Sequence, residues 1–250
     1  MRSVSVALAV LEAVSERQPV GVSELSRAMD LPKSTTQRML LTLGGLGWIR
    51  SSDDEPTRWS LTAKAMAIGS RHRADQEIRR VAEPAMHTLS AATGETVHLS
   101  VPEERQIVLL DKIEGRHPVR THTTVGHGAP LHTTASGKAV LAAMPEPQAA
   151  ALLRAAPLEA LTAQTDTDVD DLLKELERVR RQGYAVTVGT RHPDVAAVGA
   201  AILDAQQRPV ATLSLSLPVQ RFPRRMWPVY GAQVARAAEE CSRQLGWTPA

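Results

Sequence analysis

The chain has 250 residues, of which 43% are apolar, with 29 Lys/Arg against 27 Asp/Glu and a single cysteine, Cys241. There is apolar material for one large core or two smaller ones, yet no run approaches the ~18 consecutive apolar residues of a membrane helix. One cysteine excludes an internal disulfide and a Cys-based zinc site, and fits a reducing cytoplasm.

Ten Lys/Arg and seven Asp/Glu fall in residues 1–74, and nineteen and twenty in 75–250. The mildly basic front accords with nucleic acid there, and equally with a surface accident. The opening MRSVSVALAVLEAVSERQ is not a secretion signal, because Glu12 and Glu16 interrupt its apolar stretch. Its Val4, Leu8, Leu11 and Val14 recur at helical spacing and predict a helix ending near Gln18-Pro19. A short second helix is expected in VGVSELSRAMDLP, with Ser23 as N-cap and Pro32 forbidding continuation. Ser34 then caps a third helix. On it Thr36, Met39, Leu40, Leu43 and Leu46 share one side, and Ser34, Gln37, Arg38, Leu41 and Gly45 the other.

An apolar side that packs inward and a hydroxyl-and-guanidinium side left outside is helix-turn-helix logic. The amino end of such a second helix enters the DNA major groove. Lys33 and the backbone amides at the helix start are placed for phosphate, Gln37 and Arg38 have the length to reach base edges, and Ser34 and Thr35 complete the expected DNA-binding set on this helix. Trp48–Ser51 and Arg58–Leu61 read as the arms of a β-hairpin wing. Arg50 and Arg58 can grip phosphates from those arms, and Asp53, Asp54 and Glu55 keep the tip off the backbone.

The succession VSELSRAMDLPKSTTQRMLLTL, GWI, wing, LTAKAMAIG resembles the DNA-binding domain of the IclR family of bacterial transcription regulators. LHTTASGKAVLAAMP (131–145) is similar to that family's effector-domain signature. RRQGYAVTVGTRHPDVAAVGAAILDAQQRPVATLSLSLP (180–218) follows its final strand-turn-strand segment. The resemblance covers nearly the whole chain, in order.

Leu61 to about Arg73 reads as a helix joining two parts, and Ile78, Val81, Ala82, Ala85, Met86 and Leu89 extend a helical stripe to Gly94. The resemblance implies that the first segment helps pair two chains, while the residues alone fit a solvated interdomain helix nearly as well. From Glu95 the period becomes that of strands: ETVHLSVP, QIVLLDKI and PVRTHTT (118–124). Helices follow from Thr134 to Pro145 and at 147–154 and 168–182. Strands return in GYAVTVG, AVGAAILD and VATLSLSL, and the last helix spans roughly 225–245. This order predicts an α+β domain with a mainly antiparallel sheet. The resemblance implies a GAF- or profilin-like sensor.

TASGKA opens a helix with small residues. Its backbone amides and dipole suit a carboxylate, and its small side chains equally suit close packing on the sheet. The residues leave both open, and the resemblance favours a pocket. By that resemblance the effector contacts fall on Ala135, Ser136, Thr187, Ala197, Ser214 and Ser216. The last two alternate along a strand and face the same way. Two departures stand out. The family commonly has an acidic residue where Thr187 stands and a cysteine where Ala197 stands, and GTRHPD replaces the usual acidic run after GYAV. The pocket is then less acidic, larger or tuned to another ligand, with a small organic acid or related metabolite as the expected effector.

His122, His127 and His132 recur every five residues, an interval that fits neither a helix face nor one side of a strand, so no metal site is expected. His132, Ser136 and Lys138 lie close in sequence, but Ser136 and Lys138 point apart on a helix, and no nucleophile elbow, P-loop or dinucleotide fingerprint is present. No catalytic residue and no cofactor are expected. RFPRRMW (221–227) reads as a charged cap before the last helix, with an anion patch as the other reading.

The chain is thus expected to hold a winged helix-turn-helix domain at 1–61, a linker helix at 62–76 and an effector-binding, oligomerisation domain at 77–250. The expected partners are double-stranded operator DNA, a small-molecule effector and a second copy of the chain, as a dimer or tetramer, with no membrane. A metabolite or metal sensor, or an enzyme, carrying an accessory helix-turn-helix is the alternative.

Overall fold

A computed structural model of the chain describes residues 2–69 and 73–249. It divides into two compact units, Met1–Arg73 and Ala74–Ala250. The first unit contains α1 (Arg2–Arg17), β1 (Val20–Gly21), α2 (Val22–Ala28), α3 (Lys33–Gly45), β2 (Ile49–Ser51), β3 (Arg58–Leu61) and α4 (Ala63–Gly69). The three short strands form an antiparallel sheet in the order β1-β3-β2. Val10, Val14, Leu25, Leu40, Leu43, Ile49 and Trp59 make its core.

The boundaries around α3 are set by backbone rather than by serine caps. The N-cap of α3 is Pro32, whose carbonyl accepts from Thr35 and Thr36 amides, so Ser34 lies inside the first turn. Likewise α2 is capped by Gly21, with Ser23 inside the helix. Both corrections have one cause: extended backbone at Gly21 and Pro32 starts each helix earlier than the hydroxyl. Asp30, at φ 50°, turns the chain between α2 and α3, and Ser26 Oγ donates to the Leu31 carbonyl at 2.6 Å. At the far end Gly47, at φ +75°, closes a Schellman motif: its amide donates to Gly44 O, and the Trp48 amide to Leu43 O. This stop places Leu46 at the cap, 57% exposed, rather than on the apolar side where helical spacing puts it.

Of the expected linker, residues 70–72 lie outside the described residues. The second unit opens with α5 (Arg73–Thr93) and continues with β4 (Thr96–Glu103), β5 (Gln106–Ile113), β6 (Gly128–Pro130), α6 (Ala135–Ala143), α7 (Glu146–Arg154) and α8 (Val169–Gln182). Then come β7 (Ala185–Val188), β8 (Val195–Leu203), β9 (Pro209–Pro218) and α9 (Trp227–Gln244). The six strands form one sheet in the order β6-β5-β4-β9-β8-β7, with every neighbouring pair antiparallel. The expected strand at 118–124 is not formed. β5 takes Gly128–Pro130 as its outer neighbour instead, and 118–124 is held by single bonds, from Arg221 Nη1 to Val119 O and from Thr121 Oγ1 to Ser216 O.

Alternation in β9 splits this unit into two layers. Leu213, Leu215 and Leu217 join α5 and α9 in a core on one face. Thr212, Ser214 and Ser216 face the other side, where α6, α7 and α8 pack through Leu141, Leu153, Leu172 and Leu176. Apolar residues at a spacing of two, polar residues between them, and helices on both faces together bury a polar row inside the domain.

Candidate functional site

On α3, Lys33, Ser34, Gln37, Arg38 and Leu41 are exposed and Thr35 is half-buried. Thr36 and Leu40 are wholly buried, with Met39 and Leu43 nearly so. The leucine side therefore anchors the helix and leaves a polar ridge in water. Arg50 is exposed on β2. Arg58 differs: its Nη1 donates to Pro19 O at 2.9 Å and lies 3.5 Å from Glu24 Oε2. It ties the wing to α2, so part of its donor capacity is spent within the chain. Lys64, which the sequence reading passed over, is similarly engaged, donating to Leu46 O at 2.7 Å beneath the Trp48 ring.

In the second unit the cross-strand registers assemble a second polar surface. Thr187, Ala197 and Ser216 are successive neighbours in one row, and His98, Ser214 and Gly199 in the next. Gly199 is what lets α6 sit down on the sheet: a Cβ there would come within 3.1 Å of the Ala135 carbonyl carbon and the Ser136 amide. Gly137 has the same role toward the preceding turn, because its Cβ would collide with Leu131 O. Close packing brings Ser136 Oγ to 3.0 Å from Ser214 Oγ. Small residues in TASGKA thus serve packing, and that packing aims the start of α6 at the sheet.

Between α6, the sheet and the segments 121–127 and 190–192 lies a cavity of about 110 Å³. All six residues singled out for an effector, Ala135, Ser136, Thr187, Ala197, Ser214 and Ser216, line it. So do His98, Thr190, Arg191 and His192, which sequence reasoning missed. His98 carried a signal, as the one ring in the apolar run TVHLSV, but its facing depended on the register. The departure GTRHPD marked the other three. Thr134 caps α6 by accepting from the Gly137 amide at 3.0 Å, while the amides of Ala135 and Ser136 occupy the first-turn positions that a helix leaves without internal acceptors.

No acidic side chain lines the cavity among the described residues. Burial, reinforced by Lys112 and Arg191, pushes His98 down to about 4, so its ring is neutral at physiological pH. Its Nε2 is buried with no hydrogen-bond partner among the described residues. Burial also lowers His192, with Arg191 and His127 adding to it, and lowers Arg191 itself. His122 and His127 line the same cavity, whereas His132 faces away and bonds the Glu159 carbonyl at 3.0 Å. Among the described residues no group of three or more His, Cys, Asp or Glu is placed to hold a metal ion. Ser136, Lys138 and His132 have three separate partners, since Lys138 Nζ pairs with Glu175 at 2.6 Å. In RFPRRMW, Arg221 makes a bidentate pair with buried Glu95. No helix of the described residues is long and apolar enough to cross a membrane.

Two family models match: the IclR helix-turn-helix domain over residues 3–53 and the C-terminal domain of bacterial transcriptional regulator IclR over residues 72–243. The HTH-type transcriptional regulator KdgR of Escherichia coli is 31% identical over 238 residues, covering 95% of this chain and 90% of that protein. The crystal structure of the Thermotoga maritima IclR superposes with a TM-score of 0.82 at 29% identity, covering 99% of this chain and 100% of the other. An IclR homologue from Microbacterium hydrocarbonoxydans, crystallised with 4-hydroxybenzoate, shares the fold with a TM-score of 0.78 at 22% identity, covering 97% and 98% of the two chains.

Proposed function

The chain belongs to the IclR family of bacterial transcriptional regulators, and from that premise we propose where it meets its operator and its effector. Residues 1–61 form the DNA-binding domain, 62–76 the linker and 77–250 the effector-binding and self-associating domain. Lys33, Ser34, Thr35, Gln37 and Arg38 enter the major groove, and Arg50 grips phosphate from the wing. Arg58 adds to that grip only by releasing part of its contact with Glu24 and Pro19. The observation that carries this reading is the division of α3 into a buried side and an exposed Lys/Ser/Gln/Arg ridge. The DNA is double-stranded operator, bound by a dimer or a dimer of dimers, with half-sites one helical turn (~34 Å) or a multiple apart.

The cavity is the effector site, and its ligand is a small organic acid or related metabolite. Its donor-rich lining, free of carboxylates among the described residues, supports an acid. The relative crystallised with 4-hydroxybenzoate supports the same class of ligand. The effector acts by binding one quaternary arrangement better than another. The chain works as a cytoplasmic regulator, with no catalytic residue, cofactor or metal. Genome-wide mapping of bound DNA, followed by retardation of the mapped fragments with and without candidate acids, tests the whole reading. Failure to retard any such fragment rejects it.

A further inference from the structure

Leu41 stands on the solvent ridge of α3 among groups of a different kind. At about 100° per residue, Ser34, Gln37 and Arg38 share an arc of about 100° around the helix axis, and Leu41 falls inside it. Leu41 is 59% exposed. Within α3 it is the one large apolar side chain left in water, since Met39, Leu40 and Leu43 are buried and Leu46 comes after, at the C-cap. A lone exposed leucine on an ordinary surface needs no explanation. On a ridge that enters a DNA groove it does, because its neighbours there can all form hydrogen bonds and leucine cannot.

The surroundings argue against two simpler roles. Leu41 takes no part in the core of its unit, so packing does not require it. Its neighbours one turn away along the helix are Gln37, Arg38, Gly44 and Gly45. No apolar side chain stands beside it there to make the contiguous patch that a protein partner covers. Thr42, the next residue, spends its hydroxyl on the Arg38 carbonyl at 2.9 Å. Gly45 continues the line of the ridge, and a Cβ there would meet nothing within 4 Å. Leu41 is therefore the last side chain of the ridge.

Helical side chains lean toward the amino end, so Leu41 leans over the turn of Gln37 and Arg38. Seven residues separate it from Ser34, ~10.5 Å of rise, which fits a major groove ~12 Å wide. Gln37 and Arg38 can read donors and acceptors on base edges. A leucine can read only an apolar group, and the one that the major groove presents is the C5 methyl of thymine.

We propose that Leu41 is a specificity-determining residue, packing on the C5 methyl of one thymine in each half-site. This rests on the reading of α3 as the helix that enters the groove, and adds to it a base and the residue that reads it.

The test uses the full chain and a duplex that it selects from a random-sequence pool. Each thymine of one half-site is replaced in turn by deoxyuridine, which removes the C5 methyl and keeps every hydrogen-bonding group. In retardation titrations one replacement should weaken wild-type binding about three- to tenfold, the loss of one buried methyl. Leu41→Ala should lose a similar factor on the thymine duplex and become indifferent to that replacement. Its melting temperature should stay unchanged, because the side chain is exposed. Leu41→Met, which keeps the apolar reach, should retain the discrimination. The proposal is overturned if no deoxyuridine position weakens wild-type binding, or if Leu41→Ala remains sensitive to the replacement. An equal loss on unselected duplexes also overturns it, as does a changed oligomeric state in light scattering, which would make Leu41 a protein contact. Arg38→Ala separates the two levels. If it and Leu41→Ala both bind the duplex as the wild type does, α3 is not the reading helix and the proposal falls with it. If Arg38→Ala loses affinity while Leu41→Ala keeps it, α3 stands and only the methyl contact fails.

Discussion

On α3 of the winged unit, Ser34, Gln37 and Arg38 stand in water above a floor of Met39, Leu40 and Leu43. In the second unit Ser214 and His98 stand inside the fold, on a wall whose back is Leu213 and Leu215, and Ser136 of α6 faces them. Both surfaces use the same device, a polar row backed by an apolar one, at opposite degrees of hydration. Solvated groups on α3 have little to gain from the fold and can be exchanged at little cost to it. Groups withdrawn from water in the cavity are costly unless partnered. Substitution there acts on stability first.

The contrast is sharpest for charges, and the largest expected effect lies in the buried unit. Lys138, 3% exposed, has its ammonium 2.6 Å from Glu175. Glu175→Gln leaves a buried cation facing a neutral amide. Breaking a buried pair from one side costs roughly 3–5 kcal/mol. Urea melts of the variant should show that loss. A loss below ~1 kcal/mol, the range of exposed pairs, would erase the distinction drawn between the two surfaces.

His98 extends the comparison to pH. Its folded value near 4 lies below the ordinary 6.5, so the unfolded chain takes up a proton first. Stability is intact above 6.5 and declines as pH falls toward 4. His132 and His192, also lowered chiefly by burial, act in the same direction. The share of His98 is on the order of 3 kcal/mol across that window. His98→Gln should flatten the decline in urea melts, and an unchanged slope would place the ring in water rather than in the wall.

What the sequence disclosed follows the same division. Period-two alternation in VATLSLSL and the helical stripe after Ile78 report burial directly, so the strands and helices of the sheet domain were legible. The two-residue β1 has no periodicity to read. PVRTHTT carries strand-forming residues, but the ladder position beside β5 is filled by GAP, three residues without a strand signature. Serine caps at 23 and 34 were misplaced because Gly21 and Pro32 supply the extended backbone first. The six cavity residues came from resemblance. His98 became visible only when β4 was registered against β9, which sets it opposite Ser214, and Arg191 only when the 190–192 segment was seen to close one side of the cavity.

At the hydrated surface the expected effects are smaller and fall on DNA rather than on folding. Arg38→Ala should weaken operator binding by roughly 1–3 kcal/mol and relax base preference at one position, with melting nearly unchanged. Retardation titrations on operator and unrelated DNA check it. An equal loss on both would make Arg38 a phosphate contact.

The smallest effect separates two arginines that look alike in sequence. Arg50 is exposed on β2, whereas Arg58 already donates to Pro19 O and faces Glu24. A phosphate contact through Arg50 releases a counterion, so Arg50→Ala should reduce the slope of log affinity against log salt by about one unit. Arg58 begins partly neutralised, and capturing a phosphate would mean giving up its bond to the chain. Arg58→Ala should therefore change the slope by less than Arg50→Ala and cost within ~1 kcal/mol of stability, the range of exposed pairs. Equal slope changes for the two variants would mean that the wing releases Arg58 on binding DNA, and that its contact with Glu24 belongs to the unbound state alone.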